Sequence, residues 1–219
     1  MAKDFAIVLN NGSVNAAVAT ALAAQRFRPI MLFLETSTQP SSRARAAFDQ
    51  QVAQFKPYRE HAVPMGYLST LRNENLAGAI AADPRHGSLA GRQLLELLPV
   101  IAIGARYAVH YQAAAIYAGV RVGPLGDDLA QATEFTQIWN ELLQLPCGQA
   151  DLDVVTPLLE LEPWQVVDVG FQVNAPLERT WSCLEEMPEP CWACRGCRAR
   201  ESAFQQSGKP DPIRVVRKV

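Results

Sequence analysis

The chain has 219 residues, 49% of them apolar and 19% charged, with Gly (13) and Pro (15) at ordinary levels and aromatics at 8%. These figures describe a globular chain long enough to bury a core and exclude a collagen-like or disordered one. Twenty Lys and Arg against twenty-two Asp and Glu leave a formal charge of −2, which does not support a broadly basic nucleic-acid-binding surface.

The first residues show no secretory pattern: Lys3 and Asp4 precede a five-residue apolar run that stops at Asn10, Asn11 and Gly12. No apolar run approaches the roughly 20 residues of a membrane helix. The longest, Leu97 to Ala105, is bounded by Glu96 and Arg106. The expectation is a cytoplasmic protein with no membrane and no nucleic-acid partner.

Phe5 to Leu9 reads as a strand buried on both faces, and Asn10 to Ser13 as turn and cap residues. An Ala-rich helix follows from Val14 to Arg26. Pro29 ends that unit, and Ile30 to Leu34 repeats the buried-strand pattern. Ser41 and Ser42 supply caps for a second helix to about Phe55, and a third strand lies near Tyr58 to Val63. Residues 66 to 92 are irregular, with a short helix around Leu76 to Ala82. From Leu94 a buried helix runs to about Gln112, bent or interrupted at Pro99. A fourth strand spans Ala113 to Ala118, a loop Gly123 to Asp128, and a helix Glu134 to Leu145. Val154 and Val155 form a short strand, and Pro163 opens a helix ending near Asn174.

Strands alternating with helices of this length predict an α/β fold, a parallel sheet with helices on both faces. Beyond Thr180 the composition turns to Cys, Pro, Trp and Arg. We therefore divide the chain into an α/β domain over 1–180 and a small metal module over 181–219.

Cys191, Cys194 and Cys197 stand at successive intervals of three, with Cys183 eight residues upstream. Each C-x-x-C turn directs two sulfurs to one point, so the four thiolates make a closed tetrahedral zinc site of structural type. An iron–sulfur cluster is the other metal this spacing admits. Arg195, Arg198 and Arg200 stand nearby to offset the net negative charge, and Trp181 and Trp192 are expected to pack the module against the sheet. Cys147, between Pro146 and Gly148, reads as a buried or turn thiol. His61, His86 and His110 are scattered and read as surface or satisfied core residues. Asp127 and Asp128 read as a solvated turn capping the next helix, or as a pair meeting a cation.

The strand, turn and helix over 5 to 26 have the layout of an anion-binding element, in which backbone N–H groups and the helix dipole favour negative charge. Every βα turn shares that layout, so an ordinary turn capped by Ser13 is the plain alternative.

Taken with the cysteines and with Gly91 and Arg92, this segment resembles the 7-cyano-7-deazaguanine synthase (QueC) family of PP-loop ATP pyrophosphatases. The family's S-G-G-x-D-S loop is matched by Asn10, Asn11, Gly12, Ser13, Val14 and Asn15, and its P-G-R-N by Ala90 to Gln93. Its T-G-V looks like Ala118, Gly119 and Val120, its E-F like Glu134 and Phe135, and its T-P-L like Thr156, Pro157 and Leu158. Its zinc cysteines map onto Cys183, Cys191, Cys194 and Cys197.

The resemblance implies an adenine nucleotide alpha hydrolase-like fold. Asn10, Asn11, Gly12, Ser13, Asn15 and Arg92 would contact the nucleotide, zinc would be structural, and ATP and Mg²⁺ would be the reactive partners. The implied activity is that of a C–N-bond-forming ligase. ATP adenylates the carboxylate of 7-carboxy-7-deazaguanine, ammonia displaces AMP, and a second activation dehydrates the amide to the nitrile. It also implies a homodimer and a small nucleotide or deazapurine ligand.

The departures are specific. Val14 replaces the loop aspartate, and an apolar side chain cannot help to hold a divalent cation. Asp127 to Ala130 replace the family's deazapurine-cradling region, and Pro163 stands near its lysine position. Two readings follow: an enzyme of altered substrate, or a non-catalytic relative acting in binding or assembly. A third makes the cysteine module a surface for recognising partners.

Overall fold

The computed structural model of the protein describes residues 4–35, 42–70, 89–124 and 126–215. Its centre is a five-stranded sheet of β1 (Phe5–Leu9), β2 (Arg28–Glu35), β3 (Arg59–Pro64), β4 (Ala115–Ala118) and β5 (Asp153–Val155), in the order β3-β2-β1-β4-β5. Every pairing is parallel, with Ile7 beside Ile30 on one side and Ile116 on the other. The helices are α1 (Val14–Arg26), α2 (Ser42–Phe55), α3 (Tyr67–Thr70), α4 (Leu89–Tyr111), α5 (Asp127–Gln144), α6 (Pro163–Gln172), α7 (Arg195–Gln206) and α8 (Pro212–Val215). The α/β class expected from the alternation is therefore what forms.

Side chains of β1 alternate between two layers. Ile7 and Leu9 join Ile30, Leu32 and Ile116 beneath Ile101, Ala105 and Ala108 of α4. Ala6 and Val8 point the other way, toward Ala23 of α1. The Ala-rich composition of α1 has a packing reason. Seven of its residues are buried, because it lies between the sheet and a further layer made by α6 and α7. Gly170 of α6 sits where a Cβ would come within 3.0 Å of Val18, so this crossing depends on small residues.

Several expectations shift at their edges. The strand expected from Ile30 begins at Arg28 and takes in Pro29. The Pro29 carbonyl accepts from the Tyr58 N–H, and its missing N–H faces the chain ahead of β3, where no ladder bond is lost. The helix expected from Glu134 begins at Asp127, because Gly126 (φ +86°) turns the chain into it early. Asp127 and Asp128 thus lie in its first turn, and the Asp128 carboxylate is placed where it favours the helix dipole. Pro163 opens α6 as expected, with a reciprocal cap between Glu162 and Gln165.

The helix from Leu94 is neither broken at Pro99 nor buried all round. Pro99 has no N–H to give the carbonyl of Leu95, an exposed residue, while Ile101, Ala105 and Ala108 hold the helix on the sheet. Leu95, Leu98 and Val109 face outward. The segment Leu94–Tyr111 is long and apolar enough to meet the bare requirements of a membrane span, contrary to the reading from run length alone. Its inner face is part of the sheet's core. The short helix expected at Leu76 to Ala82, the Ser41 cap and His86 lie outside the described residues.

β4 and α1 approach closely where their ends meet. A Cβ on Gly119 would lie 2.8 Å from the Asn15 carbonyl oxygen, a backbone atom that cannot swing aside. Gly119→Ala is expected to cost roughly 1–3 kcal/mol in a urea melt. An unchanged midpoint would mean that this junction is not tight.

Candidate functional site

In an open parallel sheet the ligand crevice forms at the carboxyl ends of the strands, where neighbouring connections leave in opposite directions. Here that point lies between β1 and β4, and the loop after β1 forms its edge. A cavity of about 430 Å³ opens there, with Leu9, Leu32, Leu34 and Ala118 from the strands and Leu97 and Val100 from α4. Asn11, Ser13, Asn15 and Glu96 supply its polar rim. A second cavity of about 540 Å³ lies across the loop, between Asn11, Ser13 and Asn15 and the cysteine module, with Arg121 and Trp181 on its lining.

The loop is held from inside by a buried amide network. Asn10 is 2% exposed, and its Nδ2 donates to Thr20 Oγ1 at 2.9 Å and Gln51 Oε1 at 2.8 Å. Its Oδ1 accepts the Gly12 N–H at 2.8 Å. Gln51, fully buried on α2, donates through Nε2 to the carbonyls of Gly12 and Arg179, both at 3.1 Å. The Gly12 carbonyl also accepts the Trp181 N–H at 2.9 Å. Gly12 has φ +79°, and a Cβ there would strike the Ala44 carbonyl, so only glycine fits.

Side chains of the loop already serve its backbone donors. The Ser13 N–H reaches Asn11 Oδ1 at 3.2 Å, and Ser13 Oγ caps α1 by accepting the Ala16 N–H at 3.3 Å. Val14 lines the second cavity beside Asn11, Ser13 and Asn15 but brings no oxygen to it. It packs at the margin of the apolar cluster shared by α1, α6 and α7. Of the residues singled out from the sequence, Asn11, Ser13 and Asn15 meet at both cavities, and Asn10 turns inward. Arg92 lies in the first turn of α4, with its side chain outside the described residues.

The four cysteine sulfurs converge as their spacing predicts, all within 4.8 Å of one another. Cys183 and Cys191 Sγ are 3.5 Å apart, Cys183 and Cys194 3.9 Å, and Cys191 and Cys197 4.0 Å. Backbone N–H groups point at the sulfurs: Leu184 and Cys197 toward Cys194, Glu185 and Cys191 toward Cys183, and Cys194 toward Cys191. Those donors favour thiolate, and the Leu184 and Cys197 N–H groups hold Cys194 down at about 6. The Ala193 and Cys194 N–H groups likewise lower Cys191, whereas burial pushes Cys197 up to about 12. The set could bind a metal ion. Cys147 is exposed, well away in sequence.

Sequence reasoning put Arg200 among the cations beside the metal, but it turns inward instead. Its Nε and Nη2 donate to the two carboxylate oxygens of Asp211 at 2.7 and 2.8 Å, Nη1 to Thr180 Oγ1 at 2.6 Å, and Nη2 to the Leu177 carbonyl at 3.1 Å. Trp192 packs beneath the Arg214 guanidinium, 4.3 Å from its ring centre. His61 hydrogen-bonds Tyr111 at 2.7 Å, and its burial lowers its pKa.

A parallel sheet with this strand order, a βα loop at its switch point and an appended four-cysteine module define a PP-loop protein of the adenine nucleotide alpha hydrolase-like class. The sequence profile of the queuosine biosynthesis protein QueC matches residues 5–208, and the chain belongs to that family. A 7-cyano-7-deazaguanine synthase of Koribacter versatilis is 24% identical over 217 residues, 95% of this chain and 92% of that one. One from Aliarcobacter butzleri is 44% identical over 63 residues, 29% of this chain and 28% of its own length. A solved 4-thiouridine synthetase, in complex with RNA and ATP, shares the fold with a TM-score of 0.52 at 17% identity, covering 94% of this chain and 50% of that one.

Gln51, Thr20 and the Arg200–Asp211 pair were not anticipated, because an isolated Gln or Arg on a helix carries no periodic signal of burial. The pair is 4% and 5% exposed. Arg200→Met is expected to cost about 3–5 kcal/mol by stranding the Asp211 carboxylate. Arg200→Met combined with Asp211→Leu should recover much of that loss in the same denaturation assay, and a neutral single variant would contradict the assignment.

Proposed function

We propose that this QueC-family chain retains the deazapurine-type ligand cleft, holds a structural zinc ion, and does not run the ATP-dependent nitrile-forming reaction. The observation that carries this reading is the state of the loop. Magnesium asks for hard oxygen donors, and the position of the family's aspartate is Val14, packed at an apolar cluster. Adenylation of a carboxylate needs the triphosphate to be neutralised as pyrophosphate departs. Among the described residues no cationic side chain lines the first cavity; the second, lined by the same loop, has Arg121 and an Arg200 that is paired with Asp211.

The residues therefore do not fit ATP·Mg²⁺, and no reaction step is derived through it. The test is incubation with ATP, Mg²⁺, ammonia and 7-carboxy-7-deazaguanine, with AMP and pyrophosphate measured. Background-level release is expected. Turnover above that of the heat-denatured protein would establish the other reading, an ATP-dependent C–N ligase working without the loop carboxylate.

The donor set does fit zinc. Four thiolates about 2.3 Å from one ion stand about 3.8 Å apart in a tetrahedron; three of the six sulfur separations are 3.5, 3.9 and 4.0 Å, and all lie within 4.8 Å. A cluster of several irons holds its cysteines farther apart. With all four positions taken by protein the ion would be structural, and thiolates kept reduced fit a cytoplasmic protein. Elemental analysis is expected to give one zinc per chain. Cys194→Ser should lose the metal and lower the melting temperature, whereas several irons per chain would overturn the assignment.

A further inference from the structure

Helices α4 and α5 carry an apolar surface on the side that faces away from the sheet. Leu95, Leu98 and Val109 share one stripe of α4 with Ala102, at spacings of three, four and seven that suit 3.6 residues per turn. Ile138 and Leu142, four residues apart on α5, make a second stripe that Leu145 continues. Leu95 is 64% exposed, Ile138 55% and Leu145 78%. The segment Leu94–Tyr111, apolar enough for a membrane span, is only 28% buried. Between the stripes runs a groove of about 380 Å³, with Leu94, Leu95 and Leu98 on one wall and Phe135 and Ile138 on the other.

Monomers rarely expose a contiguous apolar patch larger than a few hundred Å². This face extends about 27 Å along the 18 residues of α5 and about 20 Å across two helices. Its footprint is of the order of the roughly 800 Å² that each partner buries in a stable dimer.

The charges decide between occupants. α5 bears Asp128, Glu134 and Glu141 and no Lys or Arg, whereas Arg106 stands in the outward stripe of α4. An anionic lipid surface would meet the carboxylates of α5, and a lipid-binding face is instead rich in Lys and Arg. A second copy supplies the complement of both helices at once. Both helices connect parallel strands and run the same way, so a twofold axis along them lays α4 of one copy on α5 of the other. Ridge and groove then recur on each side of the contact, which closes on itself, and Arg106 arrives over the acidic helix.

We propose that the outward face of α4 and α5 is the interface of a twofold-symmetric homodimer, with α4 of each copy packed on α5 of the other. On its opposite side α4 carries Leu97 and Val100 into the first cavity, so this contact holds one wall of the cleft in place.

Sedimentation equilibrium of the full chain should give twice the chain mass of 24.0 kDa at micromolar concentration. Leu95→Glu combined with Ile138→Glu puts two charges into the apolar contact and should raise the dissociation constant roughly thirtyfold or more. Both positions are exposed in the single chain, and an unchanged melting temperature of the dissociated variant checks that it folds. Arg106→Glu sets a carboxylate against α5 and should weaken the dimer roughly fivefold or more. Met187→Glu, at an exposed apolar residue of the cysteine module, should leave it unchanged.

A monomer at every concentration, a dimer indifferent to the double variant or to Arg106→Glu, or one weakened equally by Met187→Glu would overturn the proposal. So would cosedimentation with phosphatidylcholine–phosphatidylserine vesicles that the double variant abolishes, since that would make the face a lipid-binding one. None of these measurements involves pyrophosphate release, so they stand apart from the test of the functional reading.

Discussion

The Gly12 carbonyl is the point on which the structure of the site depends. It accepts from Gln51 Nε2 and from the Trp181 backbone N–H, so one oxygen joins the loop after β1, helix α2 and the chain entering the cysteine module. Gln51 in turn accepts from Asn10 Nδ2, which also donates to Thr20 on α1. In a dry interior each such group is costly to leave unpaired, and the members of a fully paired network strengthen one another. The network therefore specifies a single loop conformation, which hydrophobic packing of the neighbouring alanines could not do.

The cysteine module is tied to the same point by a second polar strut. Cys197 and Arg200 lie three residues apart on α7, so the placing of the cysteine at one end of the helix sets where the guanidinium arrives. Arg200 binds Thr180 and the Leu177 carbonyl, and the next residue, Trp181, donates to Gly12. Ala203 and Phe204 complete the connection by packing with Val18 and Val166 in one cluster. The module is thus built into the wall of the cleft through both apolar and charge-assisted contacts, and its order bears on the loop.

Much of the fold could be read before any coordinates, for reasons particular to each element. Phe5 to Leu9 is uniformly apolar because β1 is central and covered on both faces, and Val14 to Arg26 matches α1 residue for residue because Ser13 caps it. The cysteines were legible because ligand spacing is a local property. Edges were lost where long-range packing decides. Pro99 would stop an isolated helix, yet α4 continues because its inner face is held on the sheet. At the site, the Asn-Asn dipeptide looked like a weak phosphate loop. That its oxygens turn back onto Gly12 and Ser13 depends on Gln51, forty-one residues from Asn10, which no local pattern reveals.

The loop's departures from its family form one physical set. A phosphate-binding turn leaves several N–H groups open, and this is stable only while an anion or water satisfies them. Val14 has no oxygen to offer a cation, and it packs at the margin of the cluster shared by α1, α6 and α7. Asn10 and Asn11 supply replacement acceptors at the right reach, one buried and one exposed. Asn10 and Asn11 thus hold the Gly12 and Ser13 N–H groups within the chain, and the loop keeps its shape through its own hydrogen bonds.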